Sequence, residues 1–305
     1  MGGTRRRKSS GFERRIARWG FGFVAPSLVF FALFSFYPIL NALYTGFFDK
    51  RLLSLRRPAF VGLRNYAFLL TSPDFWNSLR ATFVFTLGTF IPLVLVSLIL
   101  ATFIMQVRRG RKALQIAYYS PAVISSVVAA AIWLSILEPR GLANQWLNAL
   151  LGTPGIDHRW IASAVNVQFS AMLVYFWKYV GYFVIIFIAG LASIPTTLYE
   201  AARIDGSSTL QAFGRITLPL LRPTVLLVSI MSMLQCLRTF SVQYLFVQSG
   251  AALAPINVVT LSIYNTGIRD RMIGRASAMS IILFIIMLAF TWLQFRTSRA
   301  DETTF

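Results

Sequence analysis

Six apolar runs, each about 20 residues or longer, constrain the fold of this chain more than any other feature. They cover about Phe21 to Phe48, Ala81 to Met105, Ile116 to Leu137, Val167 to Ala189, Thr224 to Val247 and Ala276 to Phe295. Runs of this length span a bilayer as helices, because every backbone polar group there must be bonded internally. With 56% hydrophobic and only 13% charged residues, the composition excludes an ordinary soluble domain. The sequence predicts an all-α integral membrane protein with six transmembrane helices.

Charge divides the chain into a basic amino-terminal segment at 1–20, a six-span domain at 21–295 and a short tail at 296–305. Most Lys and Arg residues lie at the ends of the apolar runs, so the net charge of +19 reflects membrane orientation and not nucleic-acid binding. Arg5-Arg6-Arg7-Lys8 predicts a cytoplasmic amino terminus in contact with lipid headgroups, and six crossings return the carboxyl terminus to the same side. The loop at 49–80, predicted to be external, is more basic than this bias favours.

Residues 192–222, between the fourth and fifth runs, are called the connecting segment below. Thr197 and Glu200 fit a capping box for a helix from about Leu198 to Asp205. Gly206 then suits the left-handed backbone that ends such a helix. Ser208 and Gln211 repeat the capping pattern, and the second helix that they open is expected to stop before Pro219. A simple hairpin that joins two spans is the alternative interpretation.

The connecting segment contains Glu200-Ala201-Ala202, then Gly206 after three residues, and then Ile216-Thr217-Leu218-Pro219 after nine more. This order resembles the signature loop of the permease subunits of binding-protein-dependent ABC importers. In that family the loop is a cytoplasmic helix-loop-helix that docks into a cleft of the ATPase. The resemblance implies a type I ABC importer permease fold and a set of ATPase-docking residues here, namely Glu200, Ala201, Ala202, Asp205 and Gly206.

Two further elements resemble the carbohydrate-type permeases, such as those of the maltose and glycerol-phosphate transporters. They are F-x-G-L-x-N-Y at 60–66 and P-x-G-x-x-N at 139–144. The chain departs from that group after the fifth run, where the usual Asp and Gly-Gly-Pro are missing from 240–252. The resemblance implies a prokaryotic inner-membrane protein whose partners are a second permease subunit, two ATP-binding subunits and an extracytoplasmic solute-binding protein.

Lys178 and Arg238 are the two cations placed inside predicted spans. Charges at membrane depth are costly, and they commonly line a water-filled path. Together with Gln235, Ser241, Gln243 and Tyr244 they form the candidate solute path. The alternative is that both cations bind backbone carbonyls or reach the interface. Two cations without an intramembrane acid would also accept an anionic solute.

No residue pattern in the chain indicates enzyme catalysis. The spans hold no paired carboxylates, Ser/His/Asp set or His cluster, and no phosphate-binding Gly-x-x-x-x-Gly-Lys-Ser/Thr loop occurs. Cys236 is expected to be a packing residue and His158 a loop residue, so no metal site or cofactor is predicted on this chain. ATP and Mg²⁺ are expected on the partner ATPase. Rival interpretations are an importer of a non-sugar solute, a membrane-embedded enzyme and a scaffold.

Overall fold

The computed structural model describes residues 11–302, which form a bundle that can cross a membrane six times. The crossings are span 1, Trp19–Thr45; span 2, Pro73–Gln106; span 3, the pair Arg111–Val123 and Ser126–Leu137; span 4, Ala164–Ala192; span 5, Thr209–Gln248; and span 6, Ile273–Thr297. Shorter helices cover Arg64–Thr71, Leu142–Leu151, Thr196–Ile204, Leu253–Ile256 and Val259–Tyr264. The predicted basic stretch Arg5–Lys8 and the last three residues lie outside the described residues.

Spans 2 and 4 form the centre of the bundle and span 1 lies at its edge. Phe183 and Phe187 of span 4 are fully buried and share a core with Leu93 of span 2 and Leu221 of span 5. No residue in the most apolar stretch of span 1 is buried within the chain. That face of span 1 is therefore left for lipid or for a partner chain.

Span 3 is bent, which corrects the single helix predicted over Ile116–Leu137. Its two halves meet at 98°. The backbone is extended at Ile124 and Ser125, and the Ser125 side chain accepts a hydrogen bond from Val128 N to begin the second half. Pro121 lies in the last turn before the bend, where its missing N–H already weakens the helix.

Span 5 is also interrupted, where one continuous helix was predicted. The helix Leu218–Leu237 ends at Arg238, and a shorter helix, Ser241–Gln248, follows. Arg238-Thr239-Phe240 is therefore irregular backbone at membrane depth, which is tolerated where it lines a cavity or is buried in protein. Both breaks fall beside the same cavity, described below.

Span 2 begins at Pro73, eight residues before the predicted start at Ala81. Ser72 is extended and Pro73 takes a first-turn position, where its lack of an N–H costs no helical hydrogen bond. Asp74 in the same turn suits the positive end of the helix. The polar stretch before Ala81 is thus partly helical.

A hairpin of residues 46–60 follows span 1 in the chain and packs against the start of span 6. Phe48–Asp49 pairs antiparallel with Ala59–Phe60 and adds a small two-stranded sheet to the helical fold. Asn65, from the F-x-G-L-x-N-Y element, donates from Nδ2 to Gly46 O at 2.9 Å and to Phe48 O at 3.0 Å. A Cβ on Gly274 would lie 2.0 Å from Phe48 O, so only glycine permits this contact. The element therefore fastens the hairpin to helix Arg64–Thr71, and Gly274 lets span 6 pack closely against it.

The stretch between spans 5 and 6, predicted to be an external loop, instead packs into the bundle. Val258, Val259 and Leu261 are each 1% exposed. Val259 N donates to the Thr82 hydroxyl of span 2 at 2.8 Å, so the start of helix Val259–Tyr264 is held by another span. The sequence prediction failed because this segment is short and broken, although it is apolar.

Asn144, the last residue of the P-x-G-x-x-N element, organises the loop after span 3. Its Nδ2 donates to Glu138 O and Pro139 O, and its Oδ1 accepts from Trp160 Nε1 at 2.8 Å. His158 lies in this loop, as predicted, and its Nε2 is 2.8 Å from Asn148 Oδ1. Cys236 is 0% exposed, which confirms its packing role.

Candidate functional site

The connecting segment folds as two short helices joined at Gly206. The first runs over Thr196–Ile204. Its cap is Pro195, without a side-chain hydrogen bond, so the predicted Thr197 and Glu200 capping box is wrong. Thr197 lies inside the first turn, where its side chain cannot cap the helix. The Glu200 carboxylate is consequently not used in local structure and remains exposed.

Gly206 ends the first helix in the left-handed conformation, as predicted. Its φ is +76°. Ser207 N donates to Ala202 O at 2.9 Å, which closes the helix end across the glycine. A side chain at this φ would be strained, although the space around the position is open. Gly206 thus fixes the angle at which the second helix leaves the first.

The second helix, Thr209–Ala212, begins with the predicted capping box. Ser208 Oγ accepts from Gln211 N at 3.3 Å, and Gln211 Oε1 accepts from Ser208 N at 2.8 Å. The helix does not stop before Pro219, which corrects the prediction. A π-helical turn at Phe213–Thr217 leads directly into Leu218–Leu237, with Leu218 N bonded to Phe213 O. The wider turn accommodates Pro219, and the segment is continuous with span 5.

The predicted docking residues present one exposed surface. Glu200, Ala201, Asp205 and Gly206 are exposed, and Ala202 is 9% exposed beneath them. The apolar side chains of Ile204 and Leu210 are 87% and 81% exposed beside this surface. Tyr199 OH lies 2.9 Å from Thr217 Oγ1 and ties the first helix to the π-helical turn at Phe213–Thr217. The arrangement is a rigid polar and apolar surface suited to a protein partner.

A second site is a cavity of about 430 Å³ inside the bundle, between spans 3, 4 and 5. Four of the six predicted solute-path residues line it, namely Lys178, Gln235, Arg238 and Ser241. Six further lining residues were not predicted: Ser126, Tyr175, Tyr179, Thr239, Phe240 and Val242. Tyr175 and Tyr179 share a helix face with Lys178, so helical spacing carried that signal. Ser126 lines the cavity only because span 3 bends.

Lys178 stabilises the bend of span 3. Its Nζ donates to Ala122 O at 3.2 Å and to Ile124 O, two carbonyls at the break. The side chain is 3% exposed, and its Nζ lies 4.8 Å from the centroid of the Tyr179 ring. This is the carbonyl contact that the sequence left open as an alternative. The bound carbonyls do not cancel the positive charge, which stays in the cavity wall.

Arg238 lies across the cavity at the break of span 5. Its Nε donates to Leu234 O at 3.3 Å and the residue is exposed. The cavity lining contains two cations and no carboxylate. The lining is therefore positively charged.

Gln243 and Tyr244, the other two predicted path residues, do not line this cavity. Gln243 is 0% exposed, and its Oε1 accepts from Thr239 Oγ1 at 3.0 Å. The Tyr244 ring stacks on Phe240 with centroids 5.2 Å apart and meets the edge of Tyr264. Both side chains hold the short helix Ser241–Gln248 in place.

The chain is similar to known proteins over most of its length. The family described as "Binding-protein-dependent transport system inner membrane component" matches residues 21–300. The trehalose/maltose transport system permease protein MalF of Thermococcus litoralis is 29% identical over 95% of this chain and 97% of its own. The arabinooligosaccharides transport system permease protein AraP of Bacillus subtilis is 32% identical over 90% of this chain and 87% of its own. The sn-glycerol-3-phosphate permease UgpA of Agrobacterium fabrum is 30% identical over 90% of this chain and 92% of its own.

The fold also occurs in a solved transporter. A chain of a bacterial ABC transporter that imports the acidic polysaccharide alginate superposes with a TM-score of 0.78 at 22% identity, over 95% of this chain and 99% of that chain. The predicted type I importer permease fold is thereby confirmed. A chain of a bacterial alginate ABC transporter in complex with an alginate pentasaccharide-bound periplasmic protein gives a TM-score of 0.79 at 21% identity, over 94% of this chain and 97% of that chain. This multi-pass membrane protein belongs to the family of binding-protein-dependent transport system inner membrane components and is a permease subunit, as the connecting segment predicted.

Proposed function

We propose that this chain forms one half of the solute path of an ATP-driven importer in a prokaryotic cell membrane. The observation that carries the proposal is the exposed, rigid surface of the connecting segment, with Glu200 free of local contacts and Ile204 87% exposed. A second permease subunit completes the path, two ATP-binding subunits hold ATP and Mg²⁺, and an extracytoplasmic binding protein delivers the solute. The connecting segment and both termini are cytoplasmic.

The continuity between the connecting segment and span 5 provides the mechanism. The second short helix passes through the π-helical turn into Leu218–Leu237 without a loop. Closure of the ATPase subunits would move the segment, and span 5 would rotate with it as one rod. Arg238 lies at the far end of that rod, at the break beside the cavity. ATP binding is thus converted into alternating access of the cavity to the two sides of the membrane.

We propose further that the solute is a saccharide carrying an anionic group. The cavity of about 430 Å³ falls within the roughly 300–1,000 Å³ of small-molecule sites. The rings of Tyr175, Tyr179 and Phe240 offer apolar faces to a sugar, while Gln235 and Ser241 offer hydrogen bonds. Arg238 would bind the carboxylate or phosphate, because a guanidinium matches either group with paired donors. The named relatives transport both neutral sugars and a sugar-related phosphate, so the class includes both chemistries.

The test uses the complex that copurifies with this chain, reconstituted with its binding protein in proteoliposomes. ATP-driven uptake of a labelled uronate trisaccharide is compared with that of a neutral glucose trisaccharide. Arg238→Gln is expected to lower uptake of the uronate about tenfold, since a hydrogen bond to a charged group contributes roughly 1.5–3 kcal/mol. Arg238→Lys keeps the charge and is expected to retain most of the activity.

The outcomes separate the two proposals. If the complex takes up only the neutral sugar, and Arg238→Gln does not change that uptake, the proposed anionic solute is contradicted. The proposed import function would still stand. Failure of the wild-type complex to move any solute in an ATP-dependent manner would contradict the importer itself.

A further inference from the structure

The hairpin of residues 46–60 exposes an unusual combination of side chains. Its tip reads Lys50-Arg51-Leu52-Leu53-Ser54-Leu55-Arg56-Arg57. Leu53 is 69% exposed and Leu55 is 105% exposed, which leaves both side chains without protein contacts that bury them. Leucines flanked by cations are typical of segments that lie in the headgroup region of a membrane. We propose that this hairpin and the pocket beneath it bind an anionic phospholipid.

The pocket has the charge for a lipid phosphate. It measures about 180 Å³, and Lys50, Arg51, Arg64 and Arg275 line it against a single acid, Asp49. Within residues 11–302 none of these cations forms an ion pair with a carboxylate. Arg275 stacks on the Phe68 ring, 3.9 Å from its centroid, so the ring fixes its guanidinium. A guanidinium held in this way can present paired donors to a phosphate.

The pocket is built before any ligand arrives. Gly274 N donates to Lys50 O at 3.0 Å, and Leu52 N donates to Arg271 O at 2.9 Å. Asn65 holds the other side of the hairpin through Gly46 O and Phe48 O. The cations on the hairpin and on span 6 are therefore brought together by backbone contacts and need no ligand to place them.

The position of the pocket favours lipid over a protein. It lies where span 1 ends at Thr45 and span 6 begins at Ile273. The ends of membrane-spanning helices lie near the boundary of the membrane. Span 1 forms the edge of the bundle, with none of its most apolar stretch buried. A lipid beside span 1 can place its chains against the leucines and its phosphate in the pocket. The same arrangement explains why the 49–80 loop is more basic than the orientation bias favours.

The test is native mass spectrometry of the purified chain in mixed phosphatidylglycerol and phosphatidylethanolamine. The wild type is expected to retain phosphatidylglycerol preferentially. The triple variant Arg51→Gln, Arg64→Gln, Arg275→Gln should lose this preference by roughly tenfold or more, because each basic group near the lipid adds to its binding. The control is a second triple variant, Arg140→Gln, Arg159→Gln, Arg269→Gln, which removes the same charge from other exposed positions. It should retain the preference for phosphatidylglycerol.

A second readout guards against misfolding of the variant. Thermal unfolding exposes Cys236, the single thiol of the chain, to a thiol-reactive dye. Phosphatidylglycerol is expected to raise the unfolding temperature of the wild type and the control, and to leave that of the triple variant unchanged. Equal lipid retention by the wild type and the triple variant would overturn the proposal. So would a crosslink from the pocket to the binding protein or the second permease subunit in place of lipid.

Discussion

Glu200→Lys is expected to abolish solute uptake while the chain still inserts and folds. The carboxylate is exposed and makes no contact that stabilises its own helix, so folding should not depend on it. At the proposed interface with the ATPase, a basic group that binds the carboxylate would then face a lysine of like charge. Loss of a buried interfacial charge contact costs roughly 2–5 kcal/mol, which corresponds to a loss of coupling of about thirtyfold to several thousandfold.

The measurement is ATP-driven uptake in proteoliposomes, together with the amount of ATPase that copurifies with the chain. Thr196→Lys is the matched control, since it adds a lysine to an exposed position at the start of the same helix. The control should keep its ATPase and most of its uptake. Normal uptake by Glu200→Lys would show that this carboxylate does not take part in docking.

Gly181→Val is expected to prevent accumulation of the folded chain. A Cβ at this position would lie 1.8 Å from Tyr118 O, a backbone atom of span 3 that no rotamer change can move away. Overpacking within a core costs about 1–3 kcal/mol, and a clash with backbone belongs at or above the upper end. Spans 3 and 4 would have to separate, which would also detach Lys178 from the carbonyls at the bend.

Detergent-extracted protein is quantified by size-exclusion chromatography, and its unfolding is followed through dye labelling of Cys236. Gly22→Val is the control, because it enlarges another transmembrane glycine that has no heavy atom within 4 Å of its ideal Cβ. We expect the control to accumulate like the wild type. If Gly181→Val accumulates to the wild-type level and is as thermally stable as the wild type, the contact between spans 3 and 4 is contradicted.

The sequence predicted those features that depend on local patterns. Apolar length identified six crossings, and the glycine at 206 and the Ser208 cap were correctly placed because short-range geometry determines both. The capping box predicted at Thr197 and Glu200 does not form. Its residue pattern is right, but the helix begins at Thr196 and not at Leu198. Residue types alone do not fix which residue takes the capping position.

The breaks in spans 3 and 5 were not predictable from local patterns. The carbonyls freed at the bend of span 3 are satisfied by Lys178, a side chain 54 and 56 residues away in sequence. Backbone carbonyls freed at membrane depth need such a partner, because no water is available there to bond them. The cavity depends on both breaks, so the sequence identified its cations but not the aromatic residues and Ser126 that complete it. Gln243 and Tyr244 were grouped with the cations because they are polar and nearby. In the structure Gln243 instead bonds Thr239 within the break, and Tyr244 packs against Tyr264 of another helix.

Crosslinking from position 201 tests the central claim most directly. Ala201→Cys introduces an exposed thiol into the connecting segment of a chain whose only cysteine, Cys236, is buried. With a bifunctional thiol and amine reagent in native membranes, we expect the introduced thiol to crosslink to an ATP-binding subunit. Leu55→Cys, at a fully exposed position of the hairpin at the other end of the bundle, should give no such product. Efficient labelling of the introduced thiol in Ala201→Cys, without any crosslink to an ATPase, would contradict the account.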